Sequence, residues 1–85
     1  MKDIEHQLQL NQVATYRIKV RGRLEDRWSS RFDDMAITVE SNKDGFAITT
    51  LTGDIRDQAA LHGLLARIRD LGLPLLLVQQ IKKEP

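Results

Sequence analysis

The chain has 85 residues, of which 41% are hydrophobic and 29% are charged, and this length and content fit one globular domain. It contains no cysteine, so disulfide bonds are excluded, and its two histidines alone are too few for the usual structural zinc sites. Thirteen basic and twelve acidic residues leave a formal net charge of +1, which does not select for nucleic acid. No apolar run approaches the roughly 20 residues of a membrane span. We therefore expect a cytoplasmic protein that does not enter the membrane.

Residues 1–14 form a polar, weakly patterned N-terminal arm, and the first strong pattern begins at Thr15. From there apolar and basic residues alternate with a period of two, which is typical of a half-buried strand. One face carries Tyr16, Ile18 and Val20. The other face carries a row of basic residues, namely Arg17, Lys19, Arg21 and Arg23.

The segment 25–34 changes period. Leu24, Trp28 and Phe32 follow one another at intervals of four, which predicts a short helix that docks on the sheet. Alternation returns at Met35 and predicts a second strand. Residues 42–45 read Asn-Lys-Asp-Gly, a turn sequence, and a third strand from Phe46 to Thr52 completes a hairpin.

The clearest helix runs from about Gln58 to Leu71, with Asp57 as its N-cap, or Asp54 as the alternative, and Gly72 just beyond its end. Its buried stripe includes Leu64 and Ile68. Residues 75–81 form the last strand, and 82–85 form a polar tail. We therefore assign residues 15–81 to a single α+β domain.

The predicted order of elements is β-α-β-β-α-β, the ferredoxin-like order, with a four-stranded antiparallel sheet and a short and a long helix on one face. The alternative is a β-meander of the first three strands followed by the helix and the final strand. In the preferred order we expect a core of Leu64 and Ile68 with Ile18, Ile37 and Phe46, all between helix and sheet.

The helix and final strand carry a family resemblance. Residues 57–65 read DQAALHGLL and residues 67–76 read RIRDLGLPLL; together with Tyr16-Arg17-Ile18 and the segment 25–28, they resemble a family of small uncharacterised bacterial proteins. The resemblance covers roughly residues 15–80. It supports the domain limits and implies no activity, so no functional residue is transferred from it.

We find no catalytic, cofactor-binding or metal-binding constellation. The acid pairs Glu25-Asp26 and Asp33-Asp34 fit helix capping better than acid–base chemistry or cation binding. His62 lies on the helix without a cysteine nucleophile to activate, and Ser29 and Ser30 have no nucleophile-elbow motif around them. We expect no cofactor and favour a non-enzymatic protein.

Two surfaces remain as candidates for interaction. The basic row of the first strand, Arg17, Lys19, Arg21 and Arg23, is expected on the open face of the sheet. RNA-recognition domains stack bases on that face, but the alternation assigns Tyr16 and Phe46 to the helix side. We therefore interpret the row as solvated or ion-paired, place a protein interface second, and disfavour nucleic acid.

The second candidate surface is apolar. Leu76 and Val78 are expected on the open face opposite Leu75 and Leu77, where they begin an exposed patch. Three small residues of the helix offer another close-approach surface, namely Ala59, Gly63 and Ala66. The sequence thus favours a non-catalytic, homo-oligomeric interaction or regulatory module, with a dimer expected and a different protein partner also open. The alternative function is a ligand-binding or enzymatic domain with a pocket between subunits. The alternative to the oligomer is a monomer whose N-terminal arm folds over the apolar face with Ile4, Leu8 and Leu10.

Overall fold

The structure is a computed structural model that describes residues 13–25, 28, 32 and 34–81. These residues form four strands and one α-helix, which are listed here in chain order: β1 (Ala14–Arg21), β2 (Ala36–Ser41), β3 (Ala47–Ile55), α1 (Gln58–Asp70) and β4 (Leu75–Ile81). Most of the predicted arm and the whole tail lie outside the described residues.

The strands form one antiparallel sheet in the order β2-β3-β1-β4. This confirms the predicted α+β class and the four-stranded antiparallel sheet. The meander alternative is wrong, because β1 pairs with β3 and β4 and not with β2. Strands β2 and β4 are therefore the two edges of the sheet.

The predicted first helix, and with it the two-helix ferredoxin-like order, is not supported by the described residues. The amide of Trp28 donates to the carbonyl of Glu25 at 3.0 Å, and the amide of Met35 donates to the carbonyl of Phe32 at 3.1 Å. These bonds span three residues, as in tight turns rather than in an α-helix. Asp34 also adopts a left-handed conformation with φ 57°, which ends any helical run before β2.

The start of this connection is held by a buried side chain of β3. The hydroxyl of Thr49 donates to the carbonyl of Gly22 at 2.6 Å and accepts from the amide of Leu24 at 3.0 Å. Gly22 has φ 122°, and a Cβ at this position would come within 2.9 Å of the Leu73 side chain. The chain can therefore leave β1 only through a glycine here.

The hairpin and the helix are confirmed. In the turn, the side-chain oxygen of Asn42 accepts from the amides of Asp44 and Phe46 at 3.0 and 2.9 Å. The carboxylate of Asp57 accepts from the amide of Ala60 at 2.8 Å and caps α1. Gly72 follows the helix with φ 76°, the left-handed conformation expected of a residue just past a helix end.

The core lies between α1 and one face of the sheet. Ile18, Leu64 and Ile68 are buried in it as predicted, and Ile37 packs against it in part. Phe46 was predicted here, and that prediction is wrong: its side chain is 45% exposed. Leu51 and Ile55 of β3 face the helix instead, so alternation places residues 46 and 48 on the other face.

The predicted faces of β4 also need correction. Val78 pairs with Ile18 and so lies on the side of the sheet that carries the helix, whereas Leu77 pairs with Lys19 on the open face. A register shift between Lys19 and Val20 inserts Leu76 as an extra residue, and this bulge breaks the simple alternation. On the helix side of β4, Leu75 and Val78 remain 49% and 38% exposed, so the apolar side of β4 is covered only in part.

Candidate interaction surfaces

The edge strand β4 presents apolar side chains to solvent. Its sequence, LLLVQQI, contains no charged residue, no proline and no glycine. Leu75, Leu76 and Val78 are 49%, 50% and 38% exposed, and they are half of the large apolar residues that are exposed in the described part of the chain. An edge strand also carries main-chain N–H and C=O groups without a neighbouring strand. Among the described strands, β4 thus combines an edge without a neighbouring strand with an apolar surface.

The opposite edge, β2, differs from β4 in its charge and in the exposure of its large apolar side chains. It carries Glu40, and its large apolar residues Ile37 and Val39 are half-buried rather than exposed. A charged side chain on an edge strand opposes pairing with another chain. Of the two edges, β4 is therefore the one suited to pairing.

The three small residues of α1 lie on its outer side. Ala59 and Gly63 are exposed and Ala66 is half-buried. A Cβ at Gly63 would meet no atom within 4 Å, leaving aside its chain neighbours and the backbone of the helix itself. Packing among the described residues therefore does not account for the glycine.

The open face of the sheet, opposite α1, carries most of the predicted basic row. The strand register places Arg17 beside Thr52 and Gln79, and Lys19 beside Thr50 and Leu77. Arg21 pairs with Ile48, whose other neighbour is Glu40. Arg23 is exposed but lies past the end of β1. Three of the four basic residues therefore form one line along the centre of the sheet.

These cations are largely unneutralised. Within the described part of the chain, no carboxylate lies within ion-pair distance of Arg17 or Lys19. The acidic residues of this face are at its margins: Glu40 on the edge strand β2, and Asp54, which accepts a hydrogen bond from the Thr15 hydroxyl at 2.5 Å. The row was interpreted as solvated or ion-paired, and within the described part of the chain these two residues form no ion pair.

An aromatic ring lies at one end of the basic row. The guanidinium carbon of Arg21 is 3.7 Å from the centroid of the Phe46 ring, a cation–π contact. The sequence prediction placed Phe46 on the helix side of the sheet, so this ring was not predicted on the open face. The position of Leu51 and Ile55, which are odd-numbered like Thr49, is the signal that could have placed it correctly.

The middle of the open face contains a hydroxyl without a partner. Thr50 lies between Thr38 of β2 and Lys19 of β1, and it is 8% exposed. Its hydroxyl oxygen is buried and has no hydrogen-bond partner. A buried polar group in this condition costs about 1–3 kcal/mol.

The residues considered for catalysis are not brought together. His62 is exposed on α1, and Glu25 and Asp34 are exposed in the connection. Asp26, Ser29, Ser30 and Asp33 lie outside the described residues, as does His6. Among the residues described, no group of three or more His, Cys, Asp or Glu side chains could hold a metal ion.

Two open grooves flank the C-terminal end of α1. One of about 210 Å³ lies between Trp28, Phe32, Arg67 and Leu71. The other, of about 320 Å³, lies between Ile68, Arg69, Leu73 and Leu75. Their linings are mainly apolar, and the second borders the exposed start of β4. In the described part of the chain, no helix is long and apolar enough to cross a membrane.

Comparison with known proteins gives one finding. The sequence model of a family described as Domain of unknown function (DUF8691) matches residues 15–79. This match confirms the resemblance to an uncharacterised family. Neither the curated proteins nor the solved structures give a match.

Proposed function

The chain belongs to the DUF8691 family, whose description names no activity, and we propose that it is a non-catalytic interaction module that forms a homodimer through the edge strand β4. One observation carries the proposal: β4 is an edge strand without charge whose Leu75, Leu76 and Val78 are exposed. Soluble proteins usually protect such edges with charges, proline or a covering segment. In a dimer, the β4 strand of the second copy would cover this edge instead.

A two-fold axis suits this strand. When two copies of β4 pair antiparallel about such an axis, the same surface meets itself, and the assembly is closed at two chains. The two sheets become one sheet of eight strands. Because the axis is then perpendicular to the sheet, the apolar sides of both β4 strands lie on the same side. Leu75 and Val78 of one copy therefore lie next to those of the other.

The size of the domain supports the same arrangement. A chain of 85 residues without cysteine builds a small core, and domains of this size gain from shared burial. In the described residues, α1 is the one helix that covers the sheet, and it packs mainly against β3. A partner strand and its side chains would shield the part of the sheet that α1 leaves uncovered.

The test is the mass in solution of the protein and of a β4 variant. By light scattering at micromolar concentration, we expect a mass about twice the 9.7 kDa of one chain. Leu76→Lys combined with Val78→Lys introduces two like charges opposite their counterparts, so this variant should be monomeric while its circular dichroism stays unchanged. The matched control, Thr38→Lys with Ser41→Lys on the edge strand β2, should remain dimeric.

Two results would contradict the proposal. A mass near 9.7 kDa for the native chain would exclude the dimer. A native-like dimer in the β4 variant, or dissociation in the β2 control, would place the interface elsewhere, with the helix surface of Ala59, Gly63 and Ala66 as the second candidate.

A further inference from the structure

We propose that the open face of the sheet binds single-stranded nucleic acid, with phosphates on the basic row and a base stacked at Phe46 and Arg21. The proposal concerns a surface within one copy of the chain and does not depend on dimer formation through β4. Its starting point is the finding that Phe46 lies on the open face.

The spacing of the basic row suits an extended chain of phosphates. Arg17, Lys19 and Arg21 point to the same side of one strand, so neighbours are separated by two residues, or roughly 6.8 Å. This is comparable to the distance between successive phosphates in an extended single strand. Arg17 and Lys19 have no carboxylate partner in the described part of the chain, so an incoming phosphate does not have to displace one.

The end of the row offers a surface for stacking. Unpaired bases stack on aromatic rings and on the planes of arginine guanidinium groups, and both are present where Arg21 covers Phe46. Phe46 is 45% exposed at the point where the β2–β3 turn enters β3. An acidic protein partner would bind the basic row without contacting the Phe46 ring. The presence of both the cations and the ring therefore favours nucleic acid.

The unpartnered hydroxyl of Thr50 is an independent sign that this face accepts a ligand. It lies beside Lys19 in the middle of the row, in a residue that is 8% exposed. On β3 and β2, Thr52 and Thr38 lie on the same face. Thr52 is half-buried and Thr38 is exposed, so their hydroxyls can donate to phosphate or sugar oxygens, which is the commonest kind of protein–nucleic acid hydrogen bond.

The experiment measures the fluorescence anisotropy of a labelled uridine oligonucleotide of about 12 nucleotides with the full chain. Three neutralised phosphates predict a slope of about −2 for the logarithm of affinity against the logarithm of salt concentration. Affinity should therefore fall about 20-fold between about 50 and 200 mM salt. Arg17→Glu with Lys19→Glu should abolish binding at the lower salt concentration and leave the circular dichroism unchanged.

The control reverses two arginines outside the basic row. Arg56→Glu with Arg69→Glu has the same net charge as the test variant, both side chains are more than three-quarters exposed, and neither residue belongs to a strand of the sheet. This control should retain more affinity for the oligonucleotide than Arg17→Glu with Lys19→Glu. If both double variants lose binding equally, the interaction reflects net charge, and the proposed site is wrong.

The stacking contact has its own test. Phe46→Ala should weaken binding roughly 5- to 100-fold, and Phe46→Trp should restore it, because the larger ring also stacks. Poly-glutamate, which has charge but no bases, should compete weakly, and Phe46→Ala should not change that competition. An absence of oligonucleotide binding at the lower salt concentration, an unaffected Phe46→Ala variant, or equal competition by poly-glutamate would each overturn the proposal.

Discussion

At the scale of single residues, two neighbouring threonines of β3 have opposite environments. Thr49 faces the core and uses its hydroxyl twice, towards Gly22 and Leu24, whereas the hydroxyl of Thr50 faces the open side without a partner. Both residues are buried, so exposure alone does not distinguish their environments. The two residues differ in whether the hydroxyl forms hydrogen bonds.

Valine substitutions should distinguish the two positions. Thr49→Val leaves the Leu24 amide buried without an acceptor and should lower the free energy of unfolding by about 1–3 kcal/mol. Thr50→Val removes a hydroxyl that forms no hydrogen bond in the described part of the chain, so it should change the free energy of unfolding by less than about 0.5 kcal/mol or increase it. Urea denaturation of both variants measures the difference, and equal losses would show that the Thr49 bonds do not hold the connection.

Phe46 is a residue whose side of the sheet was predicted wrongly from the sequence. The alternation was assigned with Phe46 and the other even-numbered residues of this strand facing the helix. In the structure Thr49, Leu51 and Ile55 face the helix, so the even-numbered residues lie on the opposite face. The alternation was therefore correct, and the choice of which of its two sets faces the helix was wrong.

At the scale of elements, the helix was predictable because its signals are local. Asp57, the apolar stripe and Gly72 lie within one continuous segment, and α1 begins at the predicted residue. The connection 22–35 was not predictable in this way, because Thr49, a distant residue, holds its start. The faces of β4 were missed because a bulge leaves no clear mark in the sequence LLLVQQI.

The helix's buried stripe gives a stability prediction. Leu64 is 1% exposed in the core, so Leu64→Ala should lower the free energy of unfolding by about 2–5 kcal/mol. Leu71→Ala, at a side chain that is 42% exposed just past the end of α1, should cost less than about 1 kcal/mol. Chemical denaturation compares the two, and a Leu64 variant as stable as the Leu71 variant would mean that the buried face is wrong.

Gly63 gives a prediction of the opposite sign. It lies inside α1 with open space at its Cβ position, so Gly63→Ala should raise the free energy of unfolding by about 0.5–1 kcal/mol. Gly72→Ala should lower it, because a left-handed φ of 76° strains any residue with a Cβ. Thermal unfolding checks both. A Gly63→Ala variant that is destabilised or changes its mass in solution would indicate that this helix surface packs against a second copy.

At the scale of the whole molecule, the sheet has one face covered by α1, one open face and two unequal edges. The open face carries cations and a ring, and the edge strand β4 carries apolar side chains and no charge. The two surfaces are on different parts of the sheet, so pairing through β4 leaves the basic row accessible. A dimer would present two such rows on the same side of a continuous sheet.

Amide hydrogen exchange, measured at a low and a high protein concentration, tests whether two copies of the chain pair through β4. Pairing protects the outward amides of β4 only when a second copy is bound, so their exchange should slow as concentration rises. Exchange in β2, the other edge, should stay constant. Exchange in β4 that is as fast as in β2 and independent of concentration would contradict the account.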